Sequence, residues 1–326
     1  MLQFMQAALP SCIPFSTEVV ELKRRTVIAL LIPAAGIGLF LRFPGPAADG
    51  VRAGLRLCGS VLIPALFPVS VLSGCLIRMS VPGGASRQTE RVMRRLFALP
   101  GRAAAPLLLG LLGGFPLGAQ LAATACEEGL LTKQEAARLA GLSTNAGPAF
   151  LLGAVSAMLG APRLGALLLA VQLCAAVLTG FLLRGLSDPP AQIKSRPTNR
   201  SASLSTVLPL SISSSAAAML RLAGAVAFFQ SVTACLGAAL PLAALPPLLR
   251  AGLTGTLELT GGLALLCESA GASALPLAAA MIGWGGLCVH LQAAQALSAA
   301  GIPMWPYLRH KAVQAGVSLL LMLLFG

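Results

Sequence analysis

The sequence predicts an all-α polytopic membrane protein that contains an inverted-topology repeat and two broken or re-entrant helical hairpins. Hydrophobic residues make up 56% of the 326 residues and charged residues only 10%. The mean hydropathy is +0.85, which is typical of multi-span helical membrane proteins. Several apolar segments are interrupted by glycine, proline or polar residues, as in transporter helices that are broken at membrane depth.

The net charge of +13 does not indicate nucleic-acid binding, because the basic residues lie in short segments between apolar spans. The positive-inside rule expects this distribution. Aromatic residues are only 5% of the chain, which also argues against base stacking. The eight cysteines are scattered singly, so the sequence indicates no metal site, disulfide or cofactor.

Residues 1–52 are interpreted as a leader followed by a first apolar segment. The apolar part, residues 26–41, follows the basic run Lys23–Arg25. A basic flank before an apolar core is typical of a signal peptide. The leader is long for a cleaved signal, so we favour a retained anchor.

The first membrane repeat is predicted at residues 53–184. It opens with a span at 53–77, in which Pro64 and Pro68 are expected to cause a kink. The following loop, 78–102, contains six arginines and one glutamate, a net charge of +5. The positive-inside rule places this loop in the cytoplasm.

Residues 103–125 form either a broken span or a re-entrant hairpin, because Gly113–Gly118 contains three glycines and a proline. Charge decides between the two. The linker at 185–205, taken with the arginine before it, has four basic residues and one aspartate, or +3. A spanning 103–125 would put the +5 loop and this linker on opposite sides. A re-entrant hairpin keeps both in the cytoplasm and is favoured.

Two further elements follow in the first repeat. Glu127–Leu139 is predicted to be a short amphipathic helix, with a capping box formed by Thr132 and Glu135. Residues 140–159 are predicted to be a span that is broken at Gly147-Pro148.

An ordinary span at 163–184 closes the first repeat, and the polar, proline-containing linker at 185–205 should be cytoplasmic. The second repeat is predicted at 206–326. Its end is interpreted as a polar break at 301–311 and a short last span at 312–325.

The most unusual stretch lies at 251–292, which is apolar but carries Glu258, His290 and Gln292. Inserting an ionised side chain at the centre of a membrane helix costs about 3 kcal/mol, so such a residue indicates a structural or functional role. Glu258 is therefore expected to face the protein interior, near Ser143–Asn145 or His290. Treating 250–268 as re-entrant gives the second half an orientation opposite to that of the first, an inverted repeat.

These patterns predict a solute- or ion-binding site at membrane depth, formed by both halves. Each polar candidate also has a structural alternative, such as capping a broken helix. A Ser143–His290 dyad, as in intramembrane proteases, is a minor alternative. The candidate binding residues are Gly114, Pro116, Gly118, Gln120, Ser143, Thr144, Asn145, Glu258, Thr260, His290 and Gln292.

Two regions of the chain carry extended motifs. The first is LGGFPLGAQLAATACEEGLLTKQEAARLAGLSTNAGPAFLLGAV, and the second comprises LTGTLELTGGLALL and MIGWGGLCVHLQAAQAL. They resemble the two motif regions of the sporulation integral membrane protein YlbJ family, the second of which belongs to the nucleoside-recognition or Gate domain. The chain departs from the family pattern at Trp284, where phenylalanine is frequent, and at Ala146-Gly147 before Pro148.

The resemblance implies a multi-pass protein of the bacterial inner membrane that acts in spore formation. Together with the buried polar residues, it predicts a transporter-like permease for an unidentified small solute. The alternative is a non-transporting membrane protein that supports spore cortex or envelope assembly through partners. We expect no enzymatic activity and no nucleic acid. The expected partners are membrane lipid and a small solute or ion, and self-association is left open.

Overall fold

The computed structural model describes residues 30–79, 86–184, 203–270 and 274–325, and this part of the chain contains helices and no strands. The predicted leader at 1–25, the first residues of the apolar segment and most of the linker, 185–202, lie outside the described residues. Two π-helical turns, Cys58–Leu62 and Phe150–Val155, occur within longer helical runs. The helices in chain order are α1 (Leu30–Arg42), α2 (Pro44–Leu57), α3 (Ile63–Met79), α4 (Arg87–Phe97), α5 (Ala104–Gly113), α6 (Leu117–Glu127), α7 (Lys133–Ser143), α8 (Ser156–Met158), α9 (Pro162–Leu183), α10 (Leu204–Ala239), α11 (Pro247–Leu257), α12 (Leu259–Ala270), α13 (Leu275–Trp284), α14 (Gly286–Ala299) and α15 (Met304–Phe325).

The helices confirm a multi-pass membrane protein. Within the described residues, four helical segments are long and apolar enough to cross a bilayer, or up to six if each sharply bent pair counts as one span. Large apolar side chains are exposed along these helices, for example Leu182 in α9 and Leu320, Leu323 and Leu324 in α15. Such exposed apolar faces are suited to contact with lipid.

Helices α2 and α3 form one long arm that runs antiparallel to the 36-residue α10. Near one end, the Ser231 hydroxyl donates a hydrogen bond to the Ala47 carbonyl at 3.0 Å. Towards the other end, the hydroxyls of Ser70 and Ser215 lie 3.0 Å apart. The end of α3 and the start of α10 are therefore on the same side of the membrane. The arm begins at Pro44, so helix α2 already includes residue 53, where the first repeat is predicted to begin.

The two predicted hairpins are confirmed, because each folds back on itself. A Cβ added at Gly110 in α5 would lie 3.0 Å from the Cα of Gly118 in α6. In a straight helix, residues eight apart are separated by about 12 Å. A Cβ added at Gly262 in α12 would overlap the Cα of Gly255 in α11. The turns lie at Gly114–Pro116 and at the residue between α11 and α12.

The ends of the two basic segments meet on one side of the molecule. The guanidinium of Arg184, which follows α9, donates a hydrogen bond to the carbonyl of Arg95 in α4. Arg138 in α7 donates to the Ala98 carbonyl at the end of α4, at 2.6 Å. The start of the linker and the arginine-rich loop therefore share a side, as the charge argument predicts for a re-entrant first hairpin.

The amphipathic helix predicted at Glu127–Leu139 begins later in the structure, at Lys133. α6 ends at Glu127 and α7 begins at Lys133, because the chain turns at Gly129 with a φ of 70°. A positive φ is readily adopted only by glycine. The capping box is confirmed: the Thr132 amide donates to the Glu135 carboxylate at 2.8 Å, and the Glu135 amide donates to the Thr132 hydroxyl at 3.2 Å.

The polar break predicted at 301–311 is present only at 301–303, and the rest of the prediction is wrong, because α15 runs without interruption from Met304 to Phe325. Tyr307, Lys311, Gln314 and Ser318 are spaced three or four residues apart and are all buried. This spacing places them on one face of a helix. Lys311 is therefore a buried side chain within a membrane helix and not a loop charge.

The side assignment can be tested by cysteine accessibility in a variant that lacks the eight native cysteines. Gln88→Cys in α4 and Ser203→Cys before α10 should react with a membrane-impermeant maleimide only after the cells are opened. Ala244→Cys, in the short turn that follows α10, should react in intact cells. The reason is the concentration of arginines on the side of α4 and the linker. Labelling of positions 88 and 203 from opposite sides would contradict this topology.

The packing of the hairpin α11–α12 can be tested by substituting two of its glycines. Gly262→Ala should lower stability by about 2 kcal/mol or more, because its Cβ overlaps the backbone at Gly255. Gly252→Ala in α11 is the matched control, since a Cβ there meets no atom within 4 Å. It should be neutral or stabilising by up to about 1 kcal/mol through helix propensity. Thermal unfolding of the purified variants measures both, and equal effects would refute the close packing.

Candidate functional site

The first pair of helix breaks lies at Gly114, between α5 and α6, and at residues 144–147, after α7. Gly114 has a φ of 79°, and a Cβ added there would lie 2.7 Å from the amide nitrogen of Gly147. A Cβ at Gly118 would lie 2.5 Å from the carbonyl carbon of Ser143. Two of the predicted candidate residues, Gly114 and Gly118, therefore allow the broken backbones to touch.

The second pair of breaks lies at Glu258, between α11 and α12, and at Gly285, between α13 and α14. A Cβ added at Gly286 would lie 3.0 Å from the Gly255 carbonyl oxygen. The two pairs of breaks also meet, because the Phe115 ring lies 3.2 Å from the Cβ position of Gly285. The four breaks thus form one continuous region of irregular backbone.

Glu258 is buried, and its carboxylate caps the N-terminus of α12. Its Oε1 accepts a hydrogen bond from the Thr260 amide at 2.9 Å. Its Oε2 accepts hydrogen bonds from the Gly261 amide and from the Gln230 side chain in α10, both at 2.7 Å. A negative group at a helix N-terminus is stabilised by the free amides and the helix dipole.

The expected neighbours of Glu258 were Ser143–Asn145 or His290. Its observed side-chain partner is Gln230, and none of its hydrogen bonds in the described part of the chain reaches those residues. The reason is that the start of α12 lies against α10, so the Glu258 carboxylate bonds both the first amides of α12 and Gln230. Sequence reasoning missed Gln230, although an amide in an apolar span was a visible signal.

A second polar cluster surrounds Lys311. Its ammonium donates hydrogen bonds to the Thr144 carbonyl at 2.8 Å, to Asn145 Oδ1 at 3.1 Å and to Gln314 Oε1 at 2.8 Å. Asn145 Oδ1 also accepts from Gln314 Nε2 at 2.7 Å and from Gln172 Nε2 at 3.0 Å. We call these five residues the lysine cluster. It fixes helices α9 and α15 to the break after α7.

Sequence reasoning found only Thr144 and Asn145 in this cluster. Gln172 lies in a span that was interpreted as ordinary, and Lys311 in a segment that was interpreted as a loop. The spacing of polar residues along α15 was the available signal. The ring centroid of Phe115 lies 5.8 Å from the Lys311 ammonium, so the cluster adjoins the first hairpin turn.

His290 and Gln292 lie close to these clusters but have different partners. His290 Nδ1 lies 3.1 Å from the Tyr307 hydroxyl, and its ring packs on Trp284 at 4.3 Å between centroids. Gln292 Nε2 donates to the Cys288 sulfur at 3.3 Å. His290 Nε2 and Gln292 Oε1 are buried without a hydrogen-bond partner among the described residues.

The Ser143 hydroxyl donates to the Leu139 carbonyl at 2.7 Å, one turn back in its own helix. It shares no hydrogen bond with His290 in the described part of the chain. The arrangement therefore gives no support to a serine–histidine dyad, which needs the two groups in contact.

A central cavity of about 60 Å³ lies at the junction of the breaks. Phe115, Gly147, Glu258, Thr260 and Gln292 line it, together with residues of the π-helical turns and α10. Three predicted candidates, Glu258, Thr260 and Gln292, therefore share one cavity. Residues from both halves of the chain line this cavity.

A larger cavity of about 440 Å³, which we call the basic-side vestibule, lies between α3, α6, α10 and α14. Arg78 and Arg221 line it, as do the candidates Pro116 and Gln120. Gln292 lines both this vestibule and the central cavity. The vestibule lies towards the side of α4 and the linker, because Arg78 is at the end of α3.

A third cavity, of about 450 Å³, is the far-side vestibule. Asp49 and Arg250 line it near the opposite end of the α2–α10 pair. Gln230 and Gly261, which both donate to Glu258 Oε2, also line it. Glu258 and its partners therefore separate the central cavity from the far-side vestibule.

No family model matches the chain, and no solved structure matches it. The chain is similar to the sporulation integral membrane protein YlbJ of Bacillus subtilis (strain 168), with 32% identity over 113 residues. The matched segment is 35% of this chain and 28% of that relative, so the similarity spans less than a third of the relative's length. It supports the resemblance to that family in the matched segment.

The contacts of the lysine cluster predict that substitution of Asn145 lowers the stability of the protein strongly. Asn145→Leu should destabilise the protein by about 3 kcal/mol or more, because three buried donors lose the acceptor that they share. Ser143→Ala is the matched control at the same break: its hydroxyl bonds only within its own helix, so the loss should stay below about 1 kcal/mol. Thermal unfolding in detergent measures both. An Asn145→Leu variant as stable as Ser143→Ala would contradict the shared-acceptor role.

Proposed function

We propose that this integral membrane protein acts in spore formation as a transporter-like permease for a small polar solute. The sporulation role rests on the name of the Bacillus subtilis relative and on the family motifs. The transport role rests on one observation above all. A buried carboxylate, Glu258, lines a small cavity at a helix break and has a larger cavity on each side.

We infer that the two halves form an inverted repeat. Hairpin α5–α6 leaves from the side of α4, whereas hairpin α11–α12 follows the opposite end of α10. Each hairpin precedes a broken crossing, which is α7 to α8 in the first half and α13 to α14 in the second. Each half then closes with an uninterrupted helix, α9 or α15. Secondary transporters place their substrate sites between such repeats, near broken helices.

The central cavity is the proposed solute site. One water needs about 10–15 Å³ of such a cavity, so the volume of about 60 Å³ holds a few water molecules. A much larger solute requires the broken segments to separate on binding. The vestibules supply access from either side, and the Glu258–Gln230 contact closes the route to the far side.

The second candidate function is a non-transporting protein that supports assembly of the spore envelope. One observation favours it: both carboxylate oxygens of Glu258 are hydrogen-bonded within the chain. In that case Glu258 only caps α12. The two candidates differ in what should happen when the charge is removed and the shape is kept.

Glu258→Gln tests this difference in a sporulating strain in which the variant replaces the native protein. One oxygen becomes an NH2 group, so at least one backbone amide at the start of α12 loses its acceptor, at a cost of about 1 kcal/mol. If Glu258 binds solute, heat-resistant spores should be lost at a normal protein level.

Thr132→Ala is the matched control, since it removes a cap of similar energy, about 1 kcal/mol, at the start of α7 and outside the cavities. It should lower the midpoint of thermal unfolding to a similar extent and leave sporulation intact. Normal sporulation with Glu258→Gln would overturn the solute role. Loss of sporulation in both variants, in step with stability, would favour the structural role.

The solute class can be narrowed with purified protein. Nucleosides, amino acids, peptidoglycan precursors and divalent cations should be screened for a rise in the midpoint of thermal unfolding. A true solute should stabilise the native protein and Thr132→Ala by similar amounts and leave Glu258→Gln unchanged, because ligand stabilisation depends on affinity for the folded state. A compound that stabilises all three equally binds elsewhere.

A further inference from the structure

Lys311 is a buried lysine whose hydrogen-bond partners are all neutral groups. Its side chain is 0% exposed, and its ammonium contacts one backbone carbonyl and two amide oxygens. The ion pairs found among the described residues lie elsewhere, at Arg52–Asp49 and Arg94–Glu90. An unpaired charge at this depth is costly, so the surroundings must be arranged to stabilise it.

The surroundings are rich in oxygen atoms. Besides the three acceptors of the ammonium, two further oxygens of the lysine cluster, Thr144 Oγ1 and Gln172 Oε1, are buried without a hydrogen-bond partner among the described residues. Both residues are at least 99% buried. Carbonyl, amide and hydroxyl oxygens are the ligands that hard metal cations take in proteins.

The position in the fold favours a cation as well. α7 ends at Ser143, and the Thr144 carbonyl immediately follows that end. The C-terminal end of a helix carries a partial negative charge from its free carbonyl groups. In membrane transporters, such ends and unwound carbonyls coordinate Na⁺ or take up protons.

We propose that the break after α7 forms a monovalent-cation site that the ammonium of Lys311 occupies permanently, as a cation tethered to α15. The site is complete without a bound ion, because the chain supplies the charge. Removal of the side chain should therefore create a pocket that binds Na⁺, ammonium or methylammonium. This inference concerns stability and ion binding, so it does not depend on the proposed transport activity.

The test measures thermal unfolding of purified Lys311→Ala in the chloride salts of choline, sodium, ammonium and methylammonium. Choline is too large for the vacated space and serves as the reference salt. The variant should be less stable than the native protein in choline. Its midpoint should rise by about 3 °C or more, and saturably, in methylammonium, ammonium or sodium. The native protein should show no such difference among the four salts.

Two controls separate ion binding from general salt effects. Lys311→Met fills the space with an apolar chain and should not respond to the choice of cation. Asn145→Leu in the Lys311→Ala background removes a central oxygen ligand and should abolish the response.

A Lys311→Ala protein that is folded and unfolds at the same temperature in all four salts would overturn the proposal. Recovery of folded variant only in ammonium, methylammonium or sodium would support it. Failure of both Lys311→Ala and Lys311→Ser to fold in any of the salts would also overturn it, since the site is then not a cation pocket.

Discussion

The structure depends on satisfying backbone polar groups where helices break inside the membrane. No water is available in the hydrocarbon region, so each free amide or carbonyl must find a partner in the protein. Glu258 supplies the partner for the free amides at the start of α12, and Lys311 for a free carbonyl after α7. A negative side chain meets the positive end of one helix, and a positive side chain meets the negative end of another.

Close backbone packing makes this arrangement possible. Gly114 contacts Gly147 at a distance that leaves no room for a Cβ, and a Cβ at Gly286 would lie tightly against the carbonyl of Gly255. In a membrane, helix association relies on van der Waals contact and hydrogen bonds, so small residues at the crossings are the main means of close approach. The same contacts keep the central cavity small, since bulkier residues would force the broken helices apart.

Glu258 and Lys311 differ in their position relative to the cavities. Glu258 lines the central cavity, and its partner Gln230 lines the far-side vestibule. Lys311 is enclosed by its own cluster and joins α15 of the second half to the α7 break of the first. The proposed transport role therefore concerns the carboxylate, whereas the lysine holds the two halves together.

The sequence by itself determined the helical membrane class, the two hairpins, the capping box of α7 and the glycine-rich positions of the breaks. Hydropathy, proline and glycine are local signals, so these features needed no knowledge of packing. Only the tertiary structure decided that Glu258 bonds Gln230 and that Asn145 bonds Lys311, because the partners come from distant helices. Lys311 was misplaced for the same reason: a charge in a weakly apolar segment predicts a loop until the neighbouring helices supply its hydrogen-bond acceptors.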